Sequence, residues 1–243
     1  PIMGGGNAYI IYILDNKDTV TDLNSQLFLI IMQALVIGLL ISLLLSFLLS
    51  KTMVGPIEKL TAAWNLRSFG ELSDIPYNAI WDLSTQKSCA ENIFQINYIQ
   101  NNADLGSTWN YLFGPSKTGI TSNKVGLMQN MTTKSVYDAF AKEDVRKNYL
   151  RETTVAGVTY YHTMKYGANG YGGNNWIVMR YADVALMLAE AYYWQGTEPT
   201  AKSFLNMVRK RAGLGDWSGT DLRQGIYDER RNEFIQEGLR WQD

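Results

Sequence analysis

The stretch Met179-Arg180-Tyr181-Ala182-Asp183-Val184-Ala185-Leu186-Met187-Leu188-Ala189-Glu190-Ala191 decides the fold of this 243-residue chain. Val184, Leu188 and Ala191 follow one another at intervals of four and three residues, which is the spacing of one helix face. A stripe of this kind is typical of a helix that packs against a core. The pattern therefore predicts a helix over residues 181–194.

Two further helices are indicated downstream of this stretch. Gly196 suits the end of the first helix and Pro199 suits the start of the next. We expect the second helix over residues 201–212 and a third over residues 222–239, each with an apolar inner face. Alanine-rich helix pairs of this length resemble tetratricopeptide units, and one clear pair is visible here.

Three ordered motifs carry a more specific resemblance. The first is the Arg-Tyr-Ala-Asp-Val run with Ala-Glu-Ala that begins at Arg180. Residues 205–214 read Leu-Asn-Met-Val-Arg-Lys-Arg-Ala-Gly-Leu, and residues 229–243 contain Glu-Arg-Arg-Asn-Glu-Phe followed by Glu-Gly-Leu-Arg-Trp-Gln-Asp. Together they resemble the C-terminal part of the SusD/RagB family of outer-membrane glycan-binding proteins, over about residues 64–243. Upstream, Asp144-Val145-Arg146 is a weaker echo of an Asp-Pro-Arg turn in that family.

The resemblance implies a function and a location. SusD-like proteins are surface lipoproteins that capture oligosaccharides, do not cleave them, and cap a TonB-dependent transporter in the outer membrane. We therefore expect a truncated SusD-like protein that binds glycans for nutrient uptake. No cofactor, metal ion or catalytic residue is expected.

Charged residues of the last motif suggest a structural network. We expect ion pairs to hold the final helix to its neighbours, because arginine binds carboxylates with two parallel hydrogen bonds. The residues assigned to this network are Arg180, Asp183, Glu229, Arg230, Glu233, Glu237 and Arg240. The alternative is an enzyme that uses Glu229 and Glu233 to hydrolyse glycans. Carboxyl groups on adjacent turns would lie on one side of a substrate, whereas glycosidases place them on both sides of the bond.

Aromatic and amide side chains supply the candidates for sugar binding. Aromatic faces suit the C–H surface of a sugar ring, and amides or carboxylates suit its hydroxyls. The candidates for glycan contact are Trp109 and Tyr111, with Asn101, Asn102 and Asp104. Tyr171 and Trp176, which flank a glycine-rich loop, are weaker candidates. Ordinary packing is the competing interpretation for all these aromatic residues.

The region before the helices has mixed patterns. Residues 90–98 alternate in part and predict a strand, and residues 155–165 predict a strand or hairpin. Residues 136–149 could form a short helix. Residues 101–133 and 167–175 are rich in glycine and polar residues, which indicates loops.

Bulk composition excludes several classes of function. The net charge is −1, so the chain has no basic field that would attract nucleic acid. A single cysteine, Cys89, excludes an internal disulfide and a zinc site made of cysteines. A single histidine, His162, excludes a histidine metal cluster within one chain.

The N-terminal quarter has a different composition. Residues 1–63 hold four of the 30 aromatic residues and none of the tryptophans. Residues 27–50 are uncharged and would span roughly 36 Å as a helix, enough to cross a bilayer core. We expect a transmembrane helix here, surrounded by membrane lipid. Lys51 and Lys59 after it place the C-terminal flank in the cytoplasm.

The residues after this helix resemble a different family. Pro56 suits a helix start, and Pro56-Ile57-Glu58-Lys59-Leu60 resembles the entry to a HAMP linker of sensor histidine kinases, as do the preceding residues 9–15. The phosphoacceptor motif and the ATP-binding glycine boxes of such kinases are absent from the sequence. The alternative function is therefore a signal-transduction fragment that lacks its catalytic core.

Two domains follow from these patterns. Residues 1–63 form the transmembrane and HAMP-entry fragment, and residues 64–243 form the SusD-like region. The expected fold is mainly α: a partial, tetratricopeptide-like helical domain with loop-rich, short-strand insertions, plus one N-terminal transmembrane helix. The first part predicts the inner membrane and the second the outer membrane, so we interpret the chain as a chimera joined at 63/64.

Overall fold

The computed structural model describes residues 17–114, 126–167 and 172–239, without the side chains of residues 17–21, 49–54, 110 and 111. Packing divides the chain into two compact units, the first ending at Gly55 and the second beginning at Pro56. In chain order the elements are α1 (Lys17–Asn65), β1 (Asn92–Ile96), α2 (Trp109–Phe113), α3 (Lys134–Ala139), β2 (Leu150–Val155), β3 (Val158–Thr163), β4 (Trp176–Arg180), α4 (Tyr181–Trp194), α5 (Glu198–Arg211) and α6 (Leu222–Glu233). Short 3₁₀ helices lie at Leu72–Asp74, Tyr77–Ile80, Gln86–Ser88 and Val145–Tyr149.

The first unit contains the long apolar helix that the sequence predicts. The segment Asp22–Leu48 of α1 has 27 residues and a mean hydropathy of 2.8, and none of its most apolar stretch is buried by protein. Its length and composition are sufficient to cross a membrane. The predicted helix start at Pro56 is wrong, because Pro56 lies inside α1. The helix continues to Asn65 despite the backbone hydrogen bond that a proline cannot donate.

Helices α4, α5 and α6 form the core of the second unit. Helix α4 is buried along most of its length, with Leu186 and Leu188 fully inaccessible to solvent. Leu205 of α5 and Ile226 of α6 pack into the same cluster, as does Trp64 near the end of α1. The short connection between α4 and α5 makes a helical hairpin, which confirms the mainly helical fold expected from the sequence.

Helix α6 ends earlier than expected. It stops at Glu233, whereas the sequence predicted a helix to Leu239. Gln236 and Gly238 have φ angles of 60° and 84°, so the chain turns through left-handed backbone conformations after the helix. Buried Lys165 provides the physical reason, because its ammonium group donates to the carbonyls of Glu233 and Ile235, each at 3.1 Å.

The predicted helix over residues 136–149 is interrupted. Helix α3 ends at Ala139, and the next turn is the 3₁₀ helix Val145–Tyr149. Asp144 holds extended backbone between them and caps the second turn by accepting from Arg146 N at 3.0 Å. A side-chain cap of this kind favours a new helical turn over continuation of the previous one.

Two antiparallel strand pairs stand beside the helices. Strand β1 pairs with β4, and β2 pairs with β3, as the patterns over 90–98 and 155–165 predicted in part. The β2–β3 turn places Ala156 and Gly157 at φ angles of 50° and 80°, the conformation of a tight two-residue hairpin. Because β4 runs directly into α4, Arg180 at their junction lies at the centre of the unit.

Candidate functional site

A buried ionic network joins the strands to the helices, and Glu233 is its centre. The Glu233 side chain is fully buried and accepts hydrogen bonds from three arginines. Arg180 Nη1 lies 2.6 Å from Oε1, Arg146 Nη1 lies 2.9 Å from Oε2, and Arg211 Nη2 also donates to Oε1. These arginines come from β4, from the 3₁₀ helix at 145–149 and from α5. One carboxylate thus ties α6 to three other elements.

Arg180 extends the network to a second carboxylate. Its Nε and Nη2 each lie 2.9 Å from a different oxygen of Glu237, which is the two-pronged geometry that arginine favours. Lys165 Nζ donates to the same Glu237 at 2.6 Å. Arg180 and Arg211 also share Glu91, which precedes β1. The guanidinium group of Arg180 is fully buried, and its charge is paired with the carboxylates of Glu91, Glu233 and Glu237.

Further ion pairs of the network involve Arg146 and Arg230. Arg146 pairs with Asp144 at 2.7 Å and with Glu229 at 2.5 Å. Arg230 of α6 donates to Asp183 of α4 at 3.0 Å. Arg240 lies outside the described residues, and Glu237 follows the end of α6 at Glu233.

The network perturbs the ionisation of its members. Burial alone would raise the pKa of Glu233, but Arg211, Arg180 and Arg146 outweigh it and hold that pKa well below the ordinary value. Burial raises the pKa of Glu229, although Arg146 opposes this effect. Burial also lowers the pKa of Lys165, with Glu237 acting in the opposite direction.

This arrangement holds structure and offers no acid–base chemistry. Glu229 and Glu233 share the guanidinium group of Arg146, and both carboxylates are buried. A general acid or base must reach its substrate within hydrogen-bonding distance, and a glycosidase needs carboxylates on both sides of the bond.

Among the described residues, no cluster of three or more histidine, cysteine, aspartate or glutamate side chains could hold a metal ion.

The sequence missed part of this network. Four residues that contact Glu233, Glu237 or Arg180 were not assigned to it: Glu91, Arg146, Lys165 and Arg211. Arg211 stands in the second sequence motif, and a search for charged residues on the inner face of that helix could have found it. Glu91 and Lys165 lie far from the motifs in the sequence and carry no local signal.

The predicted glycan-binding residues fall into two groups. Asn101 and Asp104 are exposed in a loop, and Asn102 Oδ1 accepts from the backbone of Asp104 and of Leu105, each at 2.9 Å. This turn fixes the loop between β1 and α2. The side chain of Tyr111 and all of Tyr171 lie outside the described residues.

The aromatic candidates Trp109 and Trp176 lie together. Their ring centroids are 4.3 Å apart, and Trp176 also stacks on Tyr166 at 5.6 Å. Trp109 is half-buried and contacts Phe113 and Tyr98 as well. Trp109 and Trp176 pack against a second, mainly aromatic core cluster that contains Phe113 and Tyr166, so packing occupies much of the surface of Trp109.

A family model places the chain among known proteins. The model of the SusD family matches residues 100–243, which is more than half of the sequence. The chain belongs to the SusD family. SusD-family proteins are non-catalytic glycan-binding proteins of the outer-membrane surface. A comparison with curated proteins found no match.

Solved structures share the fold of this SusD-family chain. Surface glycan-binding protein A from Bacteroides uniformis superposes with a TM-score of 0.64 and 23% identity, over 79% of this chain and 44% of that protein. Surface glycan-binding protein A from Bacteroides thetaiotaomicron in complex with laminarihexaose gives 0.59 and 22%, over 79% and 50%. A SusD superfamily protein from Bacteroides fragilis gives 0.58 and 21%, over 75% and 45%. The chain thus spans about half the length of these relatives.

Proposed function

We propose that this chain binds oligosaccharides without cleaving them. The observation that carries the proposal is the SusD-type helical unit, in which buried arginines occupy the carboxylates of Glu229, Glu233 and Glu237. A scaffold of this kind holds binding surfaces in place and leaves no free acid–base pair among these three residues. Membership of a non-catalytic glycan-binding family supports the same conclusion.

Nutrient uptake at the bacterial outer membrane is the process in which we place this binding. The partner would be a TonB-dependent transporter, which relatives of this family cap. The location of SusD-family proteins at the outer-membrane surface supports this assignment. One structural neighbour was solved with laminarihexaose, which makes neutral glucans the first ligands to test.

The loop and helix between residues 101 and 111 form the first proposed contact region for sugar. Exposed Asn101 and Asp104 supply an amide and a carboxylate beside half-buried Trp109. Asn102 braces the loop, and Tyr111 follows on α2. This combination of one aromatic face and several polar groups suits a sugar ring with its hydroxyls.

Residues 1–63 support a second proposal. The apolar segment Asp22–Leu48 favours insertion into a membrane, and residues 56–60 resemble a HAMP entry. In this proposal the N-terminal part is a transducer fragment fused to the SusD-like region near 63/64. Independent DNA clones read through residues 60–66 test the junction, and a reporter fused after residue 63 tests insertion. Clones without the junction would contradict the fusion, and a reporter that stays soluble would contradict membrane insertion.

Titration calorimetry of the full chain tests the proposed function. The chain is held in a detergent without a sugar headgroup and is titrated with neutral hexasaccharides of different linkage, laminarihexaose among them. We expect saturable binding of at least one hexasaccharide. Absence of binding across the whole panel would contradict the proposal. Shortened sugars after the titration would instead indicate an enzyme.

A further inference from the structure

Two adjoining cavities open on the second unit, and residues 101–104 line neither of them. Their volumes are about 530 and 350 Å³, and both are lined by Asn78, Tyr149 and Met164. We call this pair of cavities the Tyr149 groove. Each cavity has the size range of small-ligand sites in proteins, and the shared residues make them neighbours along one surface.

Buried aromatic residues form the floor of the groove. Tyr77 lines the larger cavity and Trp81 the smaller one, and both side chains are buried. The ammonium group of Lys165 lies 5.9 Å from the Tyr77 ring centroid and 4.9 Å from that of Trp81. Lys165 forms an ion pair with Glu237, so the ionic network contacts the two aromatic rings of the floor through Lys165. The floor is therefore packed against charged groups that the network holds in place.

Tyr149 presents an aromatic ring in a defined orientation. Its ring meets that of Tyr77 edge to face, with centroids 5.3 Å apart and an interplanar angle of 67°. Its backbone carbonyl accepts from Met164 N at 2.8 Å, which holds the two shared walls together. Tyr149 is only half-buried, so part of its ring remains open to the groove. An open aromatic face next to a thioether suits the apolar side of a sugar ring.

Polar side chains with unused hydrogen-bonding groups line the same two cavities. Among the described residues, the side chains of Asn78 and Asn148 and the Tyr149 hydroxyl make no hydrogen bond. Asp82 uses Oδ1 to accept from Ser84 N and Oγ at 2.8 and 2.6 Å, and no bond to Oδ2 is present within the same residues. Amides, a phenol and a carboxylate together offer both donors and acceptors to sugar hydroxyls.

The charge of the groove selects against acidic sugars. Asp82 is its exposed charged group and, like an ordinary aspartate, is ionised at neutral pH; the bonds from Ser84 lower its pKa further. Arg211 also lines the larger cavity, but its guanidinium group is buried and bonded to Glu91 and Glu233. The Tyr149 hydroxyl is neutral at neutral pH, as in an ordinary tyrosine, and burial, with a further contribution from Asp82, raises its pKa further. An anionic ligand would meet a negative charge and no available cation along these residues.

We propose that the Tyr149 groove binds consecutive rings of a neutral oligosaccharide, with one ring in each cavity and the Tyr149 face between them. Asn78, Asn148 and Asp82 would bond the hydroxyl groups of the sugar. This inference rests on the proposed glycan-binding function and assigns a second contact region to it, whose cavities are lined neither by Trp109 nor by residues 101–104.

Calorimetry on single variants of the full chain tests the groove, with the tightest-binding neutral hexasaccharide of the panel as probe. Tyr149→Ala should weaken binding about tenfold, and Tyr149→Phe about threefold, since phenylalanine keeps the ring and loses one hydroxyl. Asn78→Ala should weaken it about threefold without affecting the fold, because that side chain bonds no described residue. Tyr160→Ala is the matched control, since half-buried Tyr160 lies in β3 and lines neither cavity.

The outcomes separate the groove from the general function. Wild-type binding that is unchanged in Tyr149→Ala and Asn78→Ala would overturn the groove and leave glycan binding intact. If the wild type binds no neutral hexasaccharide, both proposals fail. A hexamer of galacturonic acid that binds as tightly as the neutral probe would also overturn the groove, since it contradicts the selection by charge. Should Tyr149→Ala fail to fold, Tyr149→Phe and Asn78→Ala still decide the question.

Discussion

Replacement of Glu233 by glutamine removes the central negative charge of the ionic network and preserves the shape of the side chain. Arg146, Arg180 and Arg211 would then share fewer carboxylates inside the protein, and all three are buried. Loss of one partner from a buried ion pair costs about 3–5 kcal/mol. We expect a value near the lower limit, about 3 kcal/mol, because the glutamine oxygen still accepts a hydrogen bond. For a unit of this size that corresponds to a fall in Tm of roughly 6–12 °C.

Tryptophan fluorescence during thermal or urea unfolding measures this effect in the second unit, since every tryptophan lies after residue 63. Glu152→Gln is the matched control: it removes the same charge from an exposed position in β2 and should change the free energy of unfolding by less than about 0.5 kcal/mol. If Glu233→Gln unfolds at the same temperature as Glu152→Gln, Glu233 is not the centre of a stabilising network.

Three further predictions follow from burial and charge. The Glu233 pKa is lowered in the folded state, so ionised Glu233 stabilises the fold fully above the unfolded pKa of about 4.3, and this stabilisation is lost as the pH falls further. Tm measured between pH 6 and 3 should therefore fall more steeply in the wild type than in Glu233→Gln. The raised pKa of Glu229 opposes part of this pH dependence in both proteins. Leu186→Ala, at a fully buried position of α4, should cost about 2–5 kcal/mol in urea unfolding, whereas Leu66→Ala, 81% exposed, should change little. Leu40→Lys, in the middle of the apolar segment, should oppose membrane insertion by about 2.5–3.5 kcal/mol, and carbonate extraction of membranes should release more of this variant than of the wild type.

Local patterns were sufficient for the helical part of the fold. The apolar stripe through Val184 and Leu188 predicted the bounds of α4, because the spacing of apolar residues along one helix face can be read from the sequence alone. The uncharged run over 27–50 similarly predicted the apolar part of α1. The end of α6 depended on Lys165, which lies 68 residues before Glu233 in the chain, and no local pattern could reveal that contact.

The candidate site was likewise predictable from the sequence only in part. Sequence motifs identified Arg180, Glu233 and Glu237 as a group, since charged residues at short spacings are visible without a structure. The Tyr149 groove could not be found in this way. Its walls come from residues near 78, 149 and 164, which only the packed strands and 3₁₀ helices bring together. The predicted site around Trp109 stays a prediction. Trp109 packs against the same aromatic cluster as Tyr149 but lines neither cavity of the groove, so different variants test the two contact regions.

Equilibrium dialysis of the full chain against laminarihexaose, with mass spectrometry of the sugar from both compartments, is the most direct test of a receptor that does not cleave its ligand. The account predicts an excess of sugar on the protein side that is recovered entirely as the hexamer. Equal concentrations in the two compartments, or shorter sugars in either, would contradict it.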